Sequence, residues 1–150
     1  MPTTSTVPFP RYKLPNIGRM PHLLGRDADL FRKFLLTDAA LGYIGFDFDI
    51  KVGEYAKQAA LASSPQANLE AGTLAKRIDA IAFHDTNHVD LIEAKAENLP
   101  AALGQLFIYR DLFKNTYPQF ATQALIVITS RDDPEVHTLA KQYGITILVV

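Results

Sequence analysis

RIDAIAFHDTNHVDLIEAK, residues 77–95, is the stretch on which the fold turns. Two runs rich in Ile, Ala, Val and Leu, residues 77–84 and 88–95, flank Asp85-Thr86-Asn87, which has turn chemistry. The pattern predicts a β-hairpin. A three-residue loop centred on Thr86 sets His84 opposite His88, Phe83 opposite Val89 and Asp79 opposite Glu93. Directly opposed residues of an antiparallel pair share a face, roughly 5 Å apart. Lys95 lies two residues beyond Glu93 and falls on that face too. A loop one residue shorter or longer would turn Asp79 away from Glu93.

Two adjacent carboxylates repel and need a reason to be close. A divalent cation supplies one, since Mg²⁺ binds through one or two carboxylates plus water and phosphate. Such a metal polarises a phosphodiester and lowers the pKa of a bound water. The alternative is a cross-strand salt-bridge cluster in which Lys95 offsets Asp79 and Glu93, an arrangement that contributes little when exposed. Ile78, Ile81, Leu91 and Ile92 predict a covered hairpin, where idle charges are costly, and this favours a site.

Upstream, residues 1–20 form an expected extended, proline-rich arm, with prolines at 2, 8, 10 and 15 and a fifth at 21. Its Arg11 and Lys13, beside Phe9 and Tyr12, would suit a nucleic-acid backbone; the alternative is an arm that packs on the domain or joins an oligomer. Residues 21–150 are expected to form one domain. A helix is predicted over 21–40, with Leu24, Asp27, Phe31, Phe34 and Leu35 on one stripe. Residues 43–52 alternate as a half-buried strand, with Ile44, Phe46, Phe48, Ile50 and Val52 facing one way and Asp47, Asp49 and Lys51 the other. Residues 53–75 read as a long loop with room for a short helix.

Downstream, a helix is predicted over 99–117, with Pro100 in its first turn and Pro118 past its end. A buried strand over 124–129, a helix over 134–143 closed by Gly144, and a last strand over 145–150 follow. The late strand-helix-strand unit implies a parallel pair. The expected class is α/β, a mixed central sheet with helices on both faces.

The composition bounds the function. The 150 residues are 48% hydrophobic and carry a formal net charge of −1, so any nucleic-acid contact must come from a local basic surface. There is no cysteine, which excludes thiolate metal sites, disulfides and a cysteine nucleophile. No apolar run reaches the roughly 20 residues of a membrane helix. The first residues have no apolar core of a signal peptide, and a cytoplasmic protein without membrane contact is expected. No Walker loop, GxGxxG or GxSxG elbow is present. His84 and His88 flank the hairpin tip, where turn histidines are more often idle than metal ligands; His22 and His137 show no partner in sequence.

Asp79…Glu93-Ala94-Lys95 resembles the D…(D/E)-x-K signature of the PD-(D/E)XK nuclease superfamily. The element order is similar to that family's restriction-endonuclease-like α-β-β-β-α-β core, here with an added C-terminal helix and strand. Ile78 stands where the family name has Pro. Gln105 and Tyr109, four apart on the next helix, resemble the QxxxY motif of the RecB-like branch, whose Gln and Tyr line the active site. The family also takes an acid from its first helix. That helix has no Glu here; Asp27 is the substitute at the matching end, Glu54 is another candidate, and an N-cap is the plain alternative for Asp27.

The resemblance implies a metal-dependent nuclease that hydrolyses phosphodiester bonds, with DNA the favoured substrate. Asp79, Glu93 and the Ala94 carbonyl would hold Mg²⁺, with Mn²⁺ as substitute, and Lys95 would position or deprotonate the water. Gln105, Tyr109 and Asp27 complete the expected catalytic set. Arg77, Lys76, Lys57, Arg11 and Lys13 are the expected backbone contacts. A homodimer is one way for so small a domain to cut both strands. The rival expectations are an inactive binding module of the same fold and an assembly protein.

Overall fold

The computed structural model describes residues 7–150; the first six residues of the expected arm lie outside the described residues. The elements are α1 (Gly25–Leu35), α2 (Asp38–Leu41), β1 (Gly45–Val52), α3 (Glu54–Leu61), α4 (Pro65–Leu74), β2 (Lys76–Phe83), β3 (His88–Ala94), α5 (Leu99–Thr116), β4 (Ala121–Thr129), α6 (Pro134–Gln142) and β5 (Ile145–Val149). The five strands lie in the order β1-β2-β3-β4-β5. The first three pair antiparallel, and β4 and β5 add in parallel. This is an α/β protein built on an open, mixed sheet flanked by helices.

The hairpin has the expected register. Ala80 pairs with Ile92, Ile81 with Leu91, Ala82 with Asp90 and Phe83 with Val89. Its apolar residues are fully buried because the two faces carry separate cores. On one side Ile81, Phe83, Val89 and Leu91 pack with Leu106 and Phe113 of α5 and Ala140 of α6. On the other, Ala80, Ala82, Ile92 and Ala94 pack with Phe31 and Phe34 of α1. Each crossover helix thereby covers the apolar strands it connects.

Several expectations need correction. The helix predicted over 21–40 is two helices. Thr37 Oγ1 donates to the Phe34 carbonyl at 2.6 Å, and Thr37 is extended at the N-terminus of α2, so the chain breaks there. Leu24, assigned to the buried stripe, is 75% exposed.

Residues 53–75 are not a loop but the helical pair α3–α4. Ser64 accepts the N–H of Ala67 and Pro65 takes the first turn, so this proline opens a helix rather than breaking one. The pair bridges the end of β1 to the start of β2.

Strand β1 does not keep one face. Phe46 and Phe48 join the core beside α1, whereas Ile50 and Val52 join the core beside α5. Asp49, with φ of +57°, inverts the strand between them. Its partner turns over with it, since Ala80 lies in the first core and Ile78 in the second. Phe48↔Ala80 and Ile50↔Ile78 are ladder pairs, and Asp49 and Asp79 are the residues between them.

Asp47, expected on an open face, is 2% exposed. It anchors residues 9–12. Its carboxylate accepts the N–H groups of Phe9 (3.2 Å) and Phe48 (3.0 Å) and pairs with Arg11 Nε at 2.9 Å. Tyr12 bridges Phe46 in antiparallel fashion, so the arm covers the outer edge of β1. A Cβ at Gly45 would lie 2.7 Å from Pro10 Cβ, which makes glycine necessary under the crossing. The described part of the arm therefore packs on the domain. No helix among the described residues is long and apolar enough to cross a membrane.

Candidate active site

The sheet inversion frees a residue. At Asp79 the β2–β3 ladder gives way to side-chain bonds. The Asp79 N–H donates to Glu93 Oε1 at 3.1 Å, and the Ala94 N–H donates to Asp79 Oδ2 at 3.0 Å. Each carboxylate thus reaches across to the opposite strand's main chain. Asp79 and Glu93 face each other just past the last ladder pair, as the three-residue turn predicts.

They form the floor of a cavity of about 440 Å³, which Lys95 also lines. Gln105 and Tyr109 of α5 close one side, and His22 and Asp27 close another. Thr73 at the end of α4 and Lys76 and Arg77 at the start of β2 complete the rim. Of the expected site residues, Asp79, Glu93, Lys95, Gln105, Tyr109, Asp27, Lys76 and Arg77 therefore meet around one space.

The others do not line it. Arg11 is held against Asp47, and Lys13, Lys57 and Glu54 are exposed elsewhere. Ala94 contributes its N–H to Asp79 and is 1% exposed.

The electrostatics are set by burial. Glu93 is 3% exposed, and burial first, then the charge of Asp79, push its carboxyl far above the carboxylate range. Lys95 opposes that shift. Asp79 is raised too, chiefly by burial, with the Ala94 N–H pulling it back. Tyr109 is raised by burial and by the charges of Glu93 and Asp79. Without a further cation, then, the floor carries less than its full negative charge at neutral pH.

Asp27 Oδ1 accepts the Ala96 N–H at 2.9 Å, which ties α1 to the chain leaving β3. The alternative N-cap role does not occur; Leu24 caps α1 without a side-chain bond. Arg77 is gripped by both Asp49 oxygens at 2.7 Å and donates to the Gly72 carbonyl at 3.0 Å. Gln105 Oε1 is buried without a hydrogen-bond partner. A buried orphan acceptor is costly and marks a place where a donor belongs.

Among the described residues no three His, Asp or Glu side chains gather to hold a metal by themselves. The residues nonetheless suit a hard cation that keeps its water. Two oxygen donors stand together, burial first and their mutual charge second disfavour their ionisation, and an unfilled acceptor stands nearby.

His22 shows no partner in sequence. In the fold it lines the cavity, holds φ of +69°, and places Nδ1 4.0 Å from Asp49 Oδ1. The remaining histidines are not idle either. His84 Nε2 lies 2.9 Å from Oδ1 of the buried Asp90, without the alignment of a hydrogen bond. His88 and His137 pair with Asp85 and Asp132 at 2.8 and 2.9 Å.

Comparison of the chain with protein families, with curated proteins and with solved structures finds no match.

Proposed function

We propose that the chain is a metal-dependent nuclease of the PD-(D/E)XK type that hydrolyses phosphodiester bonds, with DNA as the favoured substrate. The observation that carries this reading is the pair of adjacent carboxylates, Asp79 and Glu93, each tied to the opposite strand's main chain, in a cavity that Lys95, Gln105 and Tyr109 also line. The antiparallel β1-β2-β3 unit with α1 on one face, followed by α5 and the parallel β4, supports a restriction-endonuclease-like core.

Asp79 and Glu93 are the residues that would hold Mg²⁺ or Mn²⁺; the bound ion would supply Lewis-acid polarisation of the phosphate and a more acidic water. Lys95 orients the attacking water and stabilises charge on the phosphate oxygens. Gln105 accepts from that hydration through Oε1. Tyr109 stands beside it as a neutral donor, since burial disfavours its phenolate. Lys76 and Arg77 offer cations on the rim, Arg77 in the orientation Asp49 imposes.

A binding module without catalysis is the second reading. What favours it is that Asp27 already accepts the Ala96 N–H, so the helix-one acid is partly committed to structure. Incubation with linear, circular and single-stranded DNA and with RNA, in Mg²⁺, Mn²⁺ or EDTA, tests the two. Metal-dependent fragmentation supports the nuclease. Retention of nucleic acid without fragmentation supports the module.

A further inference from the structure

A second cavity of about 260 Å³ adjoins the first. Leu24, Asp27 and Lys95 line both, so the wall between them is one layer of side chains. Arg26, Ala96 and Glu97 belong to the second alone. Arg26 Nη2 sits 2.5 Å from Glu97 Oε1, with side chains 71% and 69% exposed.

The two halves of this site differ in permanence. The main chain is fixed, because the Ala96 N–H is held by Asp27 and the chain turns through Asn98 at φ of +56°. The Arg26–Glu97 pair is open to water, and such pairs contribute little to stability. A guanidinium accepts a phosphate in the same forked geometry as a carboxylate. Glu97 engages Arg26 through one oxygen, Oε1 on Nη2, a contact that a phosphate oxygen can replace.

A strand whose scissile phosphate lies over Asp79 and Glu93 must leave the first cavity by some route. The second cavity adjoins the first across Leu24, Asp27 and Lys95 and offers such a route. Resting on the nuclease reading, we propose that this second cavity is a phosphate subsite for a nucleotide next to the scissile bond. Arg26 is its ligand, and Glu97 holds Arg26 until the strand displaces it.

The test is fluorescence anisotropy with a short fluorescein-labelled single-stranded DNA in EDTA, for wild type, Arg26→Gln, Glu97→Gln and the double variant. Arg26→Gln should weaken binding several-fold and reduce the slope of log Kd against log salt by about 0.7. Glu97→Gln should tighten binding several-fold, and the double variant should match Arg26→Gln. Equal weakening by both single variants would make the pair a structural tie and overturn the subsite. So would an unchanged Kd in both, or no binding by wild type.

Cleavage of the same oligonucleotide after adding Mn²⁺ separates the two claims. The predicted Kd pattern without cleavage overturns the nuclease, and with it the scissile-bond position, and leaves Arg26 as a phosphate contact of a binding module. Cleavage with a flat Kd pattern overturns the subsite alone.

Discussion

Asp79 and Glu93 stand side by side where the β2–β3 ladder stops: the Asp79 N–H donates to Glu93 Oε1 at 3.1 Å, and the Asp79 carboxylate accepts the Ala94 N–H at 3.0 Å. Two buried acids are held together there by the backbone, against their own repulsion. A fold has no need of such an arrangement for stability, since removing unpaired buried charge is more often stabilising. The energetic signature of that strain is measurable.

The pH dependence follows from the direction of the shifts. Glu93 is raised by burial and by Asp79 to about 9, and Asp79 is raised as well. Both groups contribute stability that is present below their unfolded-state values and lost as pH rises through the folded ones. Glu93 thus lowers metal-free stability between about pH 4.5 and about pH 9, at a limiting slope of about 1.4 kcal/mol per pH unit. Thermal melts in EDTA should fall over that window, Glu93→Gln should flatten the fall, and Mn²⁺ should restore the wild-type melting temperature at pH 8.

Gln105→Met removes the buried acceptor at nearly constant volume. Relief of an unsatisfied buried group, about 1–3 kcal/mol, offsets loss of the Gln105–Tyr109 side-chain hydrogen bond, about 0.5–1.5 kcal/mol, so the variant should be about as stable as wild type in denaturant titrations. Its cleavage rate should nevertheless drop. Lower stability would show that Gln105 supports packing rather than the site.

Lys95→Ala should reduce kcat by about 100-fold or more, the range for loss of a positioned proton-transfer group. Lys95→Arg should not restore it, because a planar guanidinium does not reproduce a compact ammonium. Single-turnover cleavage at saturating nucleic acid reads this directly.

Asp47→Ala strands the Phe9 and Phe48 N–H groups and the Arg11 guanidinium. The expected loss is about 1–3 kcal/mol. Limited proteolysis should then cut within residues 7–14 while the domain stays intact. Gly45→Ala should expose the same sites, through the clash with Pro10.

The hairpin was legible because turn length and alternation fix register together, and register alone brings Asp79 to Glu93. Gln105 and Tyr109 were legible because their i, i+4 spacing shares a helical face. The α3–α4 pair was hidden because it packs on small residues, Ala56 and Ala59, and so lacks a strong apolar stripe. The inversion at Asp49 had no signal, since an Asp in an alternating run looks like an outward-facing strand residue. Asp47 reads as outward-facing for the same reason, its burial depending on the arm returning across β1. His22 reaches the cavity only through tertiary placement of the chain before α1.

The most direct measurement is the rate of Mn²⁺-dependent cleavage of circular single-stranded DNA by wild type and by Glu93→Gln, both checked to be folded. The account predicts cutting by wild type, none in EDTA, and loss of at least about 100-fold in the variant, as for removal of a key electrostatic group. Equal cutting by the two proteins would contradict it, as would a wild-type protein that binds no Mn²⁺ and cuts nothing.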